Sequence, residues 1–305
     1  MNFQLTDDQS AIVDMLDRIA QPFAHVPSDF HGFALVSDAL DQSLTENEFF
    51  GIATIPELGP LTAAMAVERL ARCPWTVEAA LSMLVLPLIP GEWARPIAVV
   101  EHGRPGRFVH QAKTLLLIDG DQVRIAANSA GATAPVESLY AYPMGRLCGA
   151  LESEPLSSEV ADQVINAIRI ATAAELSGLM QAAIDATVEH LSVRKQFGRE
   201  LGTFQALRHR MADCQVLAGG VHWLMLKAAY SGQPGDAALA LSHAQESATK
   251  LVYDMHQMMG AMGMTLEMSL HLWTYRIKAL LSELGGRGAQ ARVVAEHCFA
   301  DEVTQ

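Results

Sequence analysis

The segment Arg194-Lys195-Gln196-Phe197-Gly198-Arg199-Glu200-Leu201-Gly202-Thr203-Phe204-Gln205 interrupts two long apolar-periodic stretches, and it constrains the architecture more than any other part of the chain. One stretch runs up to Gly198 and the other begins near Thr203. Glycine takes a left-handed conformation without a Cβ penalty, so Gly198 is expected to stop a helix. A threonine hydroxyl can accept from a free backbone N–H, so Thr203 is expected to start one. The break therefore reads as the turn of a helical hairpin, made cationic by Arg194 and Arg199.

Periodicity extends this reading in both directions. A helix is expected from Ser158 to about Gln196, with Val164, Ile168, Ala171, Leu176, Leu179, Ala183 and Val188 on its apolar side. Further helices are expected over 203–231, 236–259, 265–284 and 289–303, with Gly219-Gly220 loosening the first and Gly232-Gln233-Pro234-Gly235 as a break. Together they predict a C-terminal four-helix bundle over 151–305. At the other end, Thr6 and Gln9 have capping-box spacing ahead of Ile12, Val13, Leu16 and Ile19. A helix over 61–71 follows the turn at Pro56-Glu57-Leu58-Gly59-Pro60, and one short helix with loops is expected within 26–46. Residues 1–94 are thus expected to be a helical domain. Between the two, residues 95–150 change pattern. Ile97 to Val100, Thr114 to Ile118 and Val123 to Ala126 are short β-prone runs, and Gly120-Asp121 predicts a hairpin turn. The fold class is mostly α with a small β-region.

Some function classes are excluded at this level. The formal net charge of -13 over 305 residues argues against nucleic acid. Cys73, Cys148, Cys214 and Cys298 are scattered, which implies neither structural zinc nor a disulfide framework. The N-terminus lacks a basic segment followed by an apolar run, and the apolar run at 81–90 is short and holds prolines, so a soluble, cytoplasmic chain is expected.

Arg194, Gln196, Phe197 and Gly198, followed by Phe204-Gln205 and Met211-Ala212-Asp213, resemble the signature of the acyl-CoA dehydrogenase family. The opening Phe3, Leu5, Thr6 and Gln9 also resemble the start of that family. The segment from His256 to Glu267 is similar to its second glycine-containing motif, with Ala261 where the family has a middle glycine. The resemblance implies FAD bound across a subunit interface, with Arg194 and Gln205 reaching the dinucleotide and Phe197 beside it. It implies the same for Gln257, Gly260 and Gly263 from the neighbouring subunit. The chemistry suits these residue types. Arginine offers a planar fork to pyrophosphate oxygens, and glycine lets backbone approach a ligand closely.

The resemblance is incomplete where the reaction would occur. The family's middle β-domain carries loop and strand motifs that hold the flavin ring and thioester, and 95–150 lacks them, leaving only a faint echo at Gly131-Ala132-Thr133-Ala134-Pro135. A carboxylate must remove the substrate's α-proton. The resemblance offers Glu283 as that base, although it falls one or two positions short depending on whether Gln257 or Arg276 anchors the count. The family's other base position falls on Ile168, beside Arg169, where no proton can be taken, and Glu175 lies further along the same helix. His256 and His271 are read as packing or surface residues rather than acid–base groups.

Two functions follow. The first is a flavoprotein subunit for α,β-dehydrogenation of a CoA thioester, for which the resemblance implies a steroid side chain or other bulky acyl group. It would form a homo- or hetero-oligomer, dimer or tetramer, and share its FAD with another subunit. The alternative is a non-catalytic scaffold that has lost flavin binding.

Overall fold

The computed structural model describes residues 4–298 except Asp121. Phe3 of the opening motif, Asp121 of the expected turn and residues 299–303 of the last expected helix lie outside the described residues.

The N-terminal helices are α1 (Asp7–Ala20), α2 (Asp38–Glu46), α3 (Gly59–Ala71) and the short α4 (Ala80–Leu84). The capping box is formed. The Gln9 amide N–H donates to Thr6 Oγ1 at 3.2 Å, and the Thr6 N–H donates to Gln9 Oε1 at 3.1 Å. Among its described residues the β-region holds seven strands: β1 (Ile97–Glu101), β2 (Gly106–Arg107), β3 (Thr114–Asp119), β4 (Gln122–Ala127), β5 (Thr133–Val136), β6 (Met144–Leu147) and β7 (Glu154–Pro155). They form two sheets, in the orders β1-β3-β4-β7 and β2-β6-β5. β1 and β3 are parallel, whereas β3 and β4 form the expected antiparallel hairpin, with Asp119 opposite Gln122. Strand β3 is buried on both faces. Leu116 and Ile118 pack into the core of the N-terminal helices, and Leu115 packs into that of the bundle.

The bundle is built on α5 (Ser158–Val193), whose 36 residues span about 54 Å. Its first half, with Val164, Ile168 and Ala171, packs on the N-terminal helices, and its second, with Leu176, Leu179 and Ala183, packs in the bundle. Val188 departs from the expected stripe and is 46% exposed. Gly178 lets α5 cross α3 closely, because a Cβ there would stand 2.0 Å from the Glu68 carbonyl oxygen. A hairpin, β8 (Lys195–Gln196) with β9 (Arg199–Glu200), separates α5 from α6 (Gln205–Ser231). Then come α7 (Pro234–Met259), α8 (Leu270–Leu280) and α9 (Gly286–Cys298). No described helix is long and apolar enough to cross a membrane.

Four expectations are corrected. Gly198 does not end a helix: α5 stops at Val193, and Gly198 is the second turn residue of the β8–β9 hairpin. Thr203 does not cap α6 either; it sits in a 3-10 turn, its hydroxyl donates to the Glu200 carbonyl at 2.6 Å, and Phe204 precedes the helix. Gly219-Gly220 leaves α6 continuous, since Gly220 makes room for His243, which a Cβ would approach to 2.7 Å. The helix expected over 265–284 is only Leu270–Leu280, because the glycine-containing segments 260–264 and 283–285 form separate 3-10 turns.

Candidate functional site

Glu283 sits in the 3-10 turn after α8 and opens on a cavity of about 110 Å³. Ile168, from the middle of α5, lines the same cavity, so the two base positions that the resemblance offered do meet in space. Arg169, its neighbour, turns to a separate groove of about 650 Å³, where Gln290 and Asn166 accept from its guanidinium at 2.8 and 2.6 Å.

A buried guanidinium dominates the cavity. Arg107, on β2, is only 7% exposed. Its Nε donates to Glu283 Oε1 at 2.7 Å, and its Nη1 lies 2.6 Å from Glu175 Oε2 in an ion contact that is not aligned as a hydrogen bond. Glu175 projects from α5, and its other oxygen accepts from the Tyr142 hydroxyl at 3.0 Å. Thr172 donates to Glu283 Oε2 at 3.2 Å. Burial alone would push Arg107 down, but the Glu175 and Glu283 carboxylates override it and hold the guanidinium well above its usual value. Burial pushes the Tyr142 phenol well up, and the Glu175 carboxylate beside it adds to the shift. Arg276, buried nearby, donates to the Leu272 and Cys73 carbonyls at 2.6 Å each. Burial pushes the Glu175 carboxyl up, against the Arg107 guanidinium beside it, which pulls it down.

The cationic break is a tight hairpin. Phe197 and Gly198 both have positive φ, 55° and 80°, as a two-residue hairpin turn of the mirror-image type requires. The Arg194 backbone is fixed: its N–H donates to the His190 carbonyl, and its own carbonyl accepts from Leu201 at 2.8 Å. Its side chain is exposed and, among the described residues, finds no hydrogen-bond or ion-pair partner. Gln205, at the first position of α6, is likewise exposed and without a side-chain partner among the described residues. Phe197 is 89% exposed and touches Phe204 edge-on, at 6.1 Å between centroids.

The second motif forms the turn between α7 and α8. Gly260 adopts φ 60°, ψ -141°, a conformation open essentially to glycine. Gly263 is buried, and a Cβ there would press on that of Met259 at 2.9 Å. His256 braces the turn: its Nδ1 donates to the Gly263 carbonyl at 2.8 Å, while burial lowers its pKa. His271 is also a packing residue, buried with its ring nitrogens against the Met268 and Gly32 carbonyls. Gln257 is exposed without a side-chain partner, beside an open groove of about 520 Å³ walled by Tyr253, Tyr275, Met264 and Lys278. Arg194 and Gln205 do not line that groove, and none of these six cofactor candidates lines the cavity at Glu283. Among the described residues, no cluster of three His, Cys, Asp or Glu could hold a metal.

Sequence reasoning missed Arg107 and Tyr142, which lie in short strands and loops without periodicity. One signal was present. Glu175 stands between Ala174 and Leu176 on a helix of apolar residues, and a buried carboxylate requires a cation.

Both motif segments, 194–205 and 256–267, fall within the part of the chain that matches a known family. Residues 158–299 match the family described as acyl-CoA dehydrogenase, C-terminal domain. The chain is 34% identical over 125 residues to acyl-CoA dehydrogenase IpdE2 of Mycobacterium tuberculosis, a match covering 41% of this chain and 39% of that protein. It is 32% identical over 142 residues to a 3-(aryl)acrylate reductase of Clostridium sporogenes, covering 45% of this chain and 34% of that one. The match thus spans about two fifths or less of these curated relatives. Among solved structures, a glutaryl-coenzyme A dehydrogenase complex superposes with a TM-score of 0.76 at 19% identity, covering 98% of this chain and 97% of that one. The ChsE4-ChsE5 complex from Mycobacterium tuberculosis gives 0.75 at 18% identity, covering 100% and 99%. At such identities the likeness is one of fold.

Proposed function

Because the chain belongs to the acyl-CoA dehydrogenase family, we propose that it is a subunit of an FAD-dependent enzyme that oxidises a CoA thioester, and that it completes a flavin site shared with a second chain. One observation carries this reading. Arg194, Gln205 and Gln257 stand exposed and, among the described residues, without a hydrogen-bond or ion-pair partner, at the C-cap of α5, the first position of α6 and the last turn of α7. A packing module has no use for such an arrangement, whereas a dinucleotide reaching this surface from another subunit does. Arg194 would hold a pyrophosphate oxygen pair, and Gln205 would hydrogen-bond along the dinucleotide. Phe197 would lie against it. Gln257 would meet it from the other side of the interface, where the exposed Gly260 allows close backbone approach and the buried Gly263 serves the packing of the turn. These residues fit the dinucleotide end of FAD. The cavity of about 110 Å³ does not fit a flavin ring with a thioester, since sites for small ligands measure about 300–1,000 Å³. When bound, the flavin supplies the hydride acceptor for the β-carbon.

The likeness to ChsE4-ChsE5, a complex of two named chains, supports an unlike partner. The likeness to a steroid ACAD, Tcur3481-Tcur3483, with a TM-score of 0.75 at 19% identity, supports a bulky acyl group. The test is flavin content. The chain co-expressed with a co-purifying dehydrogenase-like partner is expected to be yellow. Arg194→Ala is expected to weaken flavin retention by about 2–4 kcal/mol with folding intact. A colourless complex, or undiminished retention in the variant, defeats the proposal and leaves a scaffold.

A further inference from the structure

We infer that the outward face of α6 is the surface on which a second copy of this chain docks, antiparallel to the first, about a two-fold axis that passes between Gly219 and Gly220.

The first ground is a row of large apolar side chains in solvent. Val216, Trp223 and Tyr230 stand seven positions apart on α6, and each is more than half exposed. Seven residues make almost two turns of helix, so the three lie along one side. His209, seven positions before Val216, extends the row and is exposed too. From His209 to Tyr230 the row is about 32 Å long. The opposite side of α6 is given to the core, where Cys214, Ala218, Val221 and Met225 are buried. Single exposed apolar residues are ordinary on a protein surface, but a continuous patch marks a contact.

The second ground is that the row matches itself. A two-fold contact has to be self-complementary, with residue i of one copy on residue j of the other and j on i. Turned end for end about the point between Gly219 and Gly220, the row sets Trp223 against Val216 of the second copy, and Tyr230 against His209. Asp213 and Lys227 lie on one flank of the row. The same rotation brings Asp213 within one position of the level of Lys227 in the second copy, so opposite charges meet on that flank. Lys227 is half-exposed while it holds Asp236 at 2.7 Å, and an ammonium has donors for two carboxylates.

The third ground is what stands on the axis. There each copy meets its own residue, and a large side chain would collide with its double. Glycine within a helix is destabilising, yet both positions beside the axis are glycine. Gly220 accommodates His243, but a Cβ on Gly219 would meet nothing within 4 Å, so packing inside this chain does not require a glycine there. Bare backbone at that point lets a second helix approach closely. The row stops one turn short of Gln205, and the pairing does not rest on the flavin reading.

The experiment compares the isolated full chain and the co-expressed complex by sedimentation velocity over a concentration series, and by cross-linking. The isolated parent is expected to dimerise reversibly. Trp223→Ala is expected to raise the dissociation constant by about 30-fold or more while its circular dichroism stays that of the parent. Gly219→Cys, in a chain carrying Cys148→Ser and Cys298→Ser, is expected to link two copies on mild oxidation with diamide. Cβ atoms beside the axis fall in the range of about 3.5–4.5 Å that a disulfide needs. Gln215→Cys in the same background, exposed on α6 but off the row, should not link. A parent that stays monomeric at every concentration would overturn the inference, as would equal linking by the two cysteine variants or none by Gly219→Cys. Release of the unlike subunit by Trp223→Ala, with the isolated chain monomeric, would assign the face to that subunit and overturn it too. A colourless complex defeats the flavin reading and leaves this inference standing, because neither readout uses the cofactor.

Discussion

Arg107 and Arg194 are both arginines at short β-elements, and they are in opposite conditions. Arg107 is buried between two carboxylates that the chain itself supplies. Arg194 has a fixed backbone and an exposed, unpaired side chain. The contrast teaches how to tell a structural charge from a binding one within a family. A charge that has become part of the fold is satisfied inside the chain. A charge kept for a ligand from elsewhere is left unsatisfied while its backbone stays rigid, because loose presentation would forfeit ordering entropy on binding.

The sharpest way to break this comparison is to remove each arginine from the isolated chain. Arg107→Ala leaves Glu175 and Glu283 without their cation. Breaking a buried pair in this way typically destabilises by about 3–5 kcal/mol. Arg194→Ala removes an exposed group with no partner, and its effect should stay within about 0.5 kcal/mol. Urea unfolding of the two variants checks this directly. Similar losses in both would show that Arg194 is a structural charge too.

The fold was legible in the sequence to the extent that it depends on periodicity. The runs of α5, α6 and α7, the capping box and the β3–β4 hairpin all follow from spacing and from turn residues. The errors fell where two physical readings share a residue type. Gly198 is left-handed, as expected, but a left-handed glycine serves a hairpin turn as well as a helix end. Only the pairing of Lys195 with Glu200 distinguishes them, and that is tertiary information. The turns that present Arg194 and Gln257, the proposed exposed residues, were legible because motif and turn chemistry are local. The Arg107 cluster was not, because it joins β2, α5 and the turn after α8 across 176 positions of sequence.

Glu68 is an intermediate case, and it sharpens the comparison through pH. It is buried on α3, where Ser177 of α5 donates to it at 2.5 Å and His222 of α6 contacts it at 2.8 Å; His222 is a third exposed. Burial would raise its carboxyl, but the bonds from His222 and Ser177 prevail and hold it below its usual value of 4.5. A carboxylate depressed in the folded state adds stability that is fully present above its unfolded pKa. That contribution is lost as pH falls through the folded value. Glu68→Gln should therefore lower stability by about 1–2 kcal/mol at neutral pH, with the gap from the parent narrowing as pH drops below 4.5. A gap independent of pH would mean that Glu68 acts through shape alone.

The smallest effect on stability is expected at Phe197, and it separates the two kinds of residue most cleanly. A bulky side chain at φ 55° is strained, by about 1 kcal/mol. Asparagine tolerates that conformation better. Against this relief, Phe197→Asn forfeits the edge-on contact with Phe204, worth about 0.5–1.5 kcal/mol. The two terms nearly cancel, so the isolated chain should change by no more than about 0.5 kcal/mol in a melting experiment. A ring that is 89% exposed at a strained position is then retained for something outside the chain. In the flavin-bearing complex the same variant should lower cofactor occupancy although folding is unaffected. Occupancy equal to the parent would make Phe197 a turn residue only, and the hairpin's part in the site would rest on Arg194 and Gln205.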